Sequence, residues 1–153
     1  MLAEGDSAPD FTLPAAGGED FTLSELKGKT VVLYFYPRAD TPGCTTQACG
    51  IRDHTADYEK AGARVVGISP DPVAAVERFA GKFDLEFTML GEEDQEVADA
   101  YGTWVEKSMY GKKYWGVQRA TFLIDIAGEI AKVFPKVSPK THDDVVLKAL
   151  AEL

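Results

Sequence analysis

The sequence lacks an excess of positive charge, since 16 Lys and Arg residues face 25 Asp and Glu residues and the net charge is −9. Proteins that bind nucleic acids carry a basic face that neutralises phosphates, so we expect no nucleic-acid partner. An anionic membrane surface is disfavoured for the same reason. The sequence also lacks an apolar run of about 20 residues, the length that a membrane-spanning helix needs.

Internal repeats and low-complexity tracts are also missing, and we therefore predict a single domain over residues 1–153. The first residues, MLAEGD, lack the basic start and apolar run of a secretory signal, so we expect a cytoplasmic protein. The only cysteines are Cys44 and Cys49. In a reducing compartment, such a pair is seldom a permanent structural crosslink.

The strongest secondary-structure signal is the run Thr30 to Tyr36, TVVLYFY, which predicts a central strand buried on both faces. Other patterns predict strands at 64–69, 87–90, 120–125 and 129–134, helices at 43–60, 72–83, 93–101 and 142–153, a hairpin at 11–23 and a hairpin or irregular loop at 104–115. Ser24 is a candidate cap of a short helical turn. The order of elements predicts an α/β protein with one mixed central sheet flanked by helices. It resembles a thioredoxin-like fold with an N-terminal β-hairpin extension.

Cys44 follows the strongest strand and lies in the first turn of the next predicted helix. Ligands of open α/β sheets bind beyond the carboxyl ends of the strands. The unpaired N–H groups and the positive dipole end of a helix start stabilise an anion, which favours a thiolate, the nucleophilic form of cysteine. The alternative is that Cys44 is a small buried hydrophobic residue. Its neighbours Thr41 and Cys49 favour the catalytic interpretation.

The spacing of Cys44 and Cys49 limits how they can react with each other. On one regular helix, five residues place the Cα atoms roughly 8.5 Å apart, whereas a disulfide needs less than about 7 Å. Either the two cysteines never form a disulfide and Cys49 belongs to the core, or the first helical turn unfolds locally before they do. Helix ends have low local stability, so the second alternative is physically reasonable.

Residues 37–44, PRADTPGC, match the Pro-x-x-x-Thr-x-x-Cys peroxidatic motif of peroxiredoxins, and the sequence resembles this family. Residues 41–49, TPGCTTQAC, resemble its bacterioferritin-comigratory, or Q-type, branch. The likeness covers nearly the whole chain, from residues 5–11 through 122–125 to the final helix.

The resemblance implies that Cys44 is the peroxidatic cysteine and that Cys49 is the resolving cysteine of an intramolecular disulfide. Arg119, in the segment GVQRATF, matches the family arginine, which stabilises charge at the thiolate and on the leaving oxygen. Gln47 matches a position that often orients that arginine.

The remaining site residues implied by the resemblance surround the peroxide. Thr41 offers its hydroxyl to the peroxide oxygen and to the thiolate. Pro37 shields the site from water. The backbone N–H groups at the helix start, at Gly43 and Cys44, complete the expected substrate-binding set.

The function that this resemblance implies is a thiol-dependent peroxidase for hydrogen peroxide and organic hydroperoxides. A thioredoxin-type or glutaredoxin-type donor would reduce the disulfide, and no metal, haem or flavin cofactor is required. We expect a monomer, because an intramolecular resolving cysteine removes the chemical need for a dimer, although the sequence does not rule out a dimer.

Two alternatives stay open on the residues alone. A general thiol-disulfide oxidoreductase shares the fold class, but that chemistry usually uses Cys-x-x-Cys, which is absent. A redox-sensing binding module would use the thiols as a sensor. Neither histidine is needed as a base: we predict that His54 is solvated or in the core and that His142 is a capping or surface residue.

Overall fold

The computed structural model describes all residues from 1 to 153. The strands are β1 (Thr12–Pro14), β2 (Asp20–Thr22), β3 (Thr30–Phe35), β4 (Ala63–Ser69), β5 (Thr88–Gly91), β6 (Trp104–Met109), β7 (Lys112–Val117), β8 (Ala120–Ile124) and β9 (Ile130–Phe134). The helices are α1 (Pro42–Asp53), α2 (Thr55–Lys60), α3 (Val73–Lys82), α4 (Glu96–Tyr101) and α5 (His142–Ala151), with a short 3-10 turn at Leu23–Leu26. None of these helices is both long enough and apolar enough to cross a membrane.

The central sheet has five strands in the order β5-β4-β3-β8-β9. Strands β3, β4 and β5 are parallel, whereas β8 and β9 run antiparallel to their neighbours. Strand β3 lies in the middle, as its continuous apolar sequence predicts. The hairpins β1-β2 and β6-β7 form two separate two-stranded sheets. The predicted mixed α/β architecture and N-terminal hairpin are confirmed.

Alternating side chains of β3 and the residue after it enter two hydrophobic clusters on opposite faces of the sheet. Val32, Tyr34 and Tyr36 pack with residues of α1, α3 and α5. The intervening side chains pack with the N-terminal hairpin and α4. A strand buried on both faces cannot show polar alternation, which explains the uninterrupted apolar run. Because the two clusters share one sheet, they are consistent with a single domain over residues 1–153, and that organisation stays a prediction.

The antiparallel pairing of β3 with β8 determines where the loops meet. Phe35, at the end of β3, pairs with Ala120, at the start of β8. The loop that leads from β3 into α1 therefore lies beside the residue that precedes β8. That residue is Arg119, so the sheet itself brings Arg119 to the same edge as Cys44.

Three predictions about where individual helices begin, end or are capped are wrong in detail. The helix predicted over 43–60 is divided at His54, whose φ of −108° and ψ of 17° end α1 before α2 begins. The acidic helix predicted from residue 93 starts only at Glu96, because Gln95 adopts a left-handed conformation with φ of 56°. Ser24 lies inside the 3-10 turn, so it is not the cap.

The prediction that His142 is a capping or surface residue is also wrong. Its side chain is fully buried at the start of α5, and its Nε2 lies 3.0 Å from the Thr121 hydroxyl on β8. Its ring also packs against Tyr34. The apolar face predicted for this helix is correct for Val146, Ala149 and Leu150, whereas Val145 and Leu153 are exposed.

Candidate active site

Cys44 lies in the first turn of α1 and is only 2% exposed. The preceding residues give the helix a defined start: Thr41 is the extended N-cap residue, and Pro42 occupies the first turn, where its missing N–H costs no hydrogen bond. The first turn of a helix has no internal acceptor for its N–H groups. The N–H groups of Gly43 and Cys44 are therefore available to an anion or to a substrate oxygen.

Arg119 makes the direct polar contact with the Cys44 thiol. Its Nη2 donates to Cys44 Sγ at 3.3 Å, and its Nη1 donates to Gln47 Oε1 at 2.6 Å. Gln47 is completely buried one helical turn after Cys44. The guanidinium is thus held in a fixed direction by a neighbour on the same helix, and its permanent positive charge lies at the sulfur.

The absence of a side chain at Gly43 allows this close approach. A Cβ atom at Gly43 would lie 3.1 Å from Nη2 of Arg119 and 3.6 Å from Cγ of Pro139. The first distance is tighter than ordinary van der Waals contact, and the guanidinium cannot retreat without losing its two hydrogen bonds. The predicted importance of Gly43 therefore has a steric basis in addition to its N–H group.

Thr41 and Pro37 lie in the loop before α1, but neither makes a polar contact with the sulfur of Cys44. The Thr41 hydroxyl donates to the Arg38 carbonyl at 2.8 Å, so its oxygen lone pairs remain available as acceptors. Pro37 is half-buried and lines the groove beside the β6-β7 hairpin. The roles predicted for these two residues stay predictions.

Cys49 lies on the same helix as Cys44, is half-buried, and has a free thiol, as Cys44 does. Both cysteines therefore belong to one continuous helical segment, which keeps them too far apart for a disulfide. This is the reduced arrangement, and a disulfide between the two cysteines would require part of the helix to unwind.

Comparison with known proteins identifies the family. The sequence model of the AhpC/TSA family matches residues 4–133 of this chain. This chain is a peroxiredoxin of that family. It is 48% identical over 151 residues to peroxiredoxin Bcp of Escherichia coli K12, which covers 99% of this chain and 97% of the relative.

Solved structures of peroxiredoxins have the same fold. The bacterioferritin comigratory protein of Xanthomonas campestris, studied for alkyl peroxide reduction, superposes with a TM-score of 0.88 and 34% identity over 93% of this chain and 90% of that one. A mutant of PrxQ from Xylella fastidiosa gives a TM-score of 0.93 with 29% identity, covering 99% and 97%. These relatives confirm the predicted thioredoxin-like fold, the branch and the peroxidase function.

The sequence did not indicate one cationic residue of this peroxiredoxin that lies close to the site. Lys107 on β6 donates from Nζ to the carbonyl of Val117, two residues before Arg119, at 2.5 Å. Burial lowers the pKa of Lys107, and the nearby charge of Arg119 lowers it further. Lys107 lines a groove of about 930 Å³ together with Pro37 and Trp115. Only the pairing of β6 with β7 brings this lysine near Arg119, so the sequence carried no signal for it.

No group of three or more His, Cys, Asp or Glu side chains is arranged to hold a metal ion. The polar groups at the site are instead a thiol, a guanidinium, a hydroxyl and backbone N–H groups. This set can bind a small molecule with two adjacent oxygens and stabilise negative charge on one of them.

Proposed function

We propose that Cys44 is the peroxidatic residue through which this peroxiredoxin reduces hydrogen peroxide and organic hydroperoxides. The observation that carries this assignment is the 3.3 Å contact between Arg119 Nη2 and Cys44 Sγ at the start of α1. The guanidinium charge and the unpaired N–H groups of the helix start both stabilise negative charge at the sulfur. No separate general base is needed once the thiolate has formed.

The thiolate attacks the terminal oxygen of the hydroperoxide. The S–O bond forms while the O–O bond breaks. The electron pair of the O–O bond leaves on the other peroxide oxygen as alkoxide or hydroxide, which takes a proton from water. Cys44 becomes a sulfenic acid and keeps the hydrogen of the attacked oxygen. The sulfur is oxidised by two electrons and the peroxide is reduced by two.

Charge that develops on the leaving oxygen meets donors that are already oriented. Arg119 and the N–H groups of Gly43 and Cys44 supply them, and donors that are fixed in advance stabilise such charge strongly. Because the Thr41 hydroxyl donates to the Arg38 carbonyl, we infer that its oxygen accepts the O–H of the hydroperoxide. This assigns Thr41 the role of acceptor, which orients the peroxide for attack.

Cys49 then acts as the resolving cysteine. Its thiol attacks the sulfur of the Cys44 sulfenic acid, the Cys44–Cys49 disulfide forms, and water leaves. The helical spacing requires the first turns of α1 to unwind before this step. Thr41 makes no side-chain cap hydrogen bond to the helix start, which supports low local stability there.

We further propose that a thioredoxin-type protein, with a glutaredoxin-type protein as the alternative, reduces the disulfide by thiol exchange. The enzyme would act as a monomer, because both cysteines that react belong to one chain. A reducing compartment such as the cytoplasm would supply the donor. Sedimentation velocity tests the oligomeric state, and NADPH consumption with each donor system compares the reductants.

The central experiment mixes reduced protein with one equivalent of hydrogen peroxide and follows thiols and intact mass over time. We expect rapid loss of two thiols and formation of one intramolecular disulfide. Cys44→Ser should abolish the fast reaction. Cys49→Ser should gain one oxygen as sulfenic acid and lose turnover with thioredoxin.

Two outcomes would contradict parts of this scheme. Slow reaction with peroxide, together with fast reduction of protein disulfides, would support a general disulfide oxidoreductase instead. Normal turnover of Cys49→Ser with thioredoxin would remove Cys49 from the resolving role and leave Cys44 as the only essential thiol.

A further inference from the structure

A buried carboxylate at the start of α5 contacts the rear of the helix that carries both cysteines. Asp143 is 8% exposed, and its Oδ1 accepts a 2.5 Å hydrogen bond from the Tyr58 hydroxyl on α2. Its Oδ2 lies 3.6 Å from Nδ1 of His54, at the junction of α1 and α2. Neither cysteine touches this cluster through a hydrogen bond, so the chemistry at Cys44 does not account for it.

Gly50 completes the cluster and immediately follows Cys49. A Cβ atom at Gly50 would lie 2.5 Å from Oδ2 of Asp143, so the carboxylate occupies the space that any larger residue would need. The ring Nδ1 of His54 donates to the Gly50 carbonyl at 2.8 Å. Gly50, His54 and Tyr58 are spaced by four residues and present one face to Asp143.

Formation of the proposed disulfide requires α1 to unwind as far as Cys49, directly before Gly50. The segment from Pro42 to Cys49 must lose its helical path, because Cys44 and Cys49 cannot meet on a regular helix. The residues after Cys49 carry Ile51 and Tyr58, which belong to the main hydrophobic cluster. Unwinding that continued past Gly50 would expose them.

We propose that Asp143 is a positioning residue that stops the unwinding of α1 at Gly50. Its contacts with Gly50, His54 and Tyr58 hold the rear of the helix against α5 while the front unwinds. The inference rests on the proposed Cys44–Cys49 disulfide and adds the boundary of the moving segment.

A fixed boundary at Gly50 affects the fate of the sulfenic acid. Because Cys49 is directly attached to the held residue, its reach is short, and Cys44 must travel most of the distance. A slower approach leaves the sulfenic acid exposed to a second peroxide, which produces a sulfinic acid. Weakening the Asp143 contacts should therefore speed disulfide formation and reduce over-oxidation.

Asp143→Asn and Tyr58→Phe test this inference, with Asp144→Asn as the matched control. Asp144 is the next residue of α5 and is exposed, so its substitution removes the same charge from the same helix start without touching α1. Stopped-flow measurements separate sulfenic acid formation from disulfide formation. We expect the second step to become about three- to tenfold faster in both test variants, as the loss of one ordinary hydrogen bond predicts. The first step, and both steps of Asp144→Asn, should stay unchanged.

Hydrogen exchange of the wild-type protein provides a test that needs no variant. In the disulfide form, amides of residues 43–49 should lose protection, whereas those of residues 51–58 should keep it. Loss of protection throughout 51–58 would overturn the inference, as would an unchanged rate of disulfide formation in folded Asp143→Asn and Tyr58→Phe. Absence of sulfenic acid and disulfide in the wild type would instead contradict the proposed function.

Discussion

The front and rear halves of α1 are held to the protein in different ways. The front, from Pro42 to Cys49, packs Cys44 and Ala48 into the main hydrophobic cluster, makes its side-chain hydrogen bonds to the rest of the protein through Arg119, and has no side-chain cap. The rear is joined to two other helical regions: Asp143 of α5 contacts it, and Arg52 donates to the carbonyl of Phe83 after α3 at 2.7 Å. One helix thus combines an uncapped end that carries the proposed peroxidatic cysteine with an anchored end, and each half can be perturbed separately.

The largest effect is expected at the front, from Arg119→Met. This change removes the charge and both hydrogen bonds to Cys44 and Gln47, so sulfenic acid formation should slow by about 100-fold or more. Stopped-flow measurement of the first step gives the rate. Arg78→Met, at an exposed position on α3, should leave it unchanged. A normal rate in Arg119→Met would show that the contact is not used in catalysis.

Gly43→Ala should have the next largest effect. The added Cβ would approach Nη2 of Arg119 to 3.1 Å and displace the guanidinium, so we expect a loss of about tenfold in the same step. Gly81→Ala is the matched control, because that helical glycine has no neighbouring atom within 4 Å of the new Cβ. Equal rates in the two variants would mean that Arg119 has room to adjust.

At the rear, Asp143→Asn should change how stability depends on pH. Burial alone would raise the pKa of Asp143, but the neighbouring His142, Tyr58 and His54 lower it overall. A lowered carboxyl pKa contributes stability above the unfolded value of about 3.9, and this contribution is lost as the pH falls through the folded value.

Urea unfolding between neutral and acidic pH measures this contribution. We expect Asp143→Asn to be less stable than the wild type by about 1–3 kcal/mol near neutrality. The difference should shrink on acidification. Asp144→Asn should follow the wild-type curve, and a constant difference at all pH values would show that the charge of Asp143 is not what matters.

The smallest effect concerns His54. Its hydrogen bond to the Gly50 carbonyl is the main cause that raises its pKa, burial acts against it, and the charge of Asp143 adds a smaller contribution in the same direction. An NMR titration should therefore find the pKa of His54 above its usual value, and Asp143→Asn should bring it only part of the way back. A complete return would mean that Asp143, and not the Gly50 carbonyl, dominates.

The sequence alone predicted the centre of the fold and the position of Cys44 at a helix start. Local patterns suffice for β3, which is apolar throughout, and for the helix start at Cys44, which has Pro42 in its first turn. Arg119 was different, because nothing near it in the sequence shows that its side chain contacts sulfur. The family resemblance identified it, and the pairing of Phe35 with Ala120 explains its position.

The rear of α1 was harder to predict for a physical reason. His142 and Asp143 look like ordinary polar residues at a helix start, and their burial depends on contacts with Thr121 and Tyr58, far away in the sequence. The break at His54 was missed because the residues around it are acceptable in a helix. Such features depend on tertiary packing, which one-dimensional patterns do not record.

The pairing of Phe35 with Ala120 also affects how fast the helical form of the site returns after the disulfide is reduced. Arg119 directly precedes β8, so under the proposed scheme it would stay in place while the front of α1 unwinds, and the rear of α1 would remain as a helix to extend. Restoring the site after reduction then requires only that one or two helical turns grow onto an existing helix. Such growth takes on the order of nanoseconds per residue, so the return to the reactive form should never limit turnover.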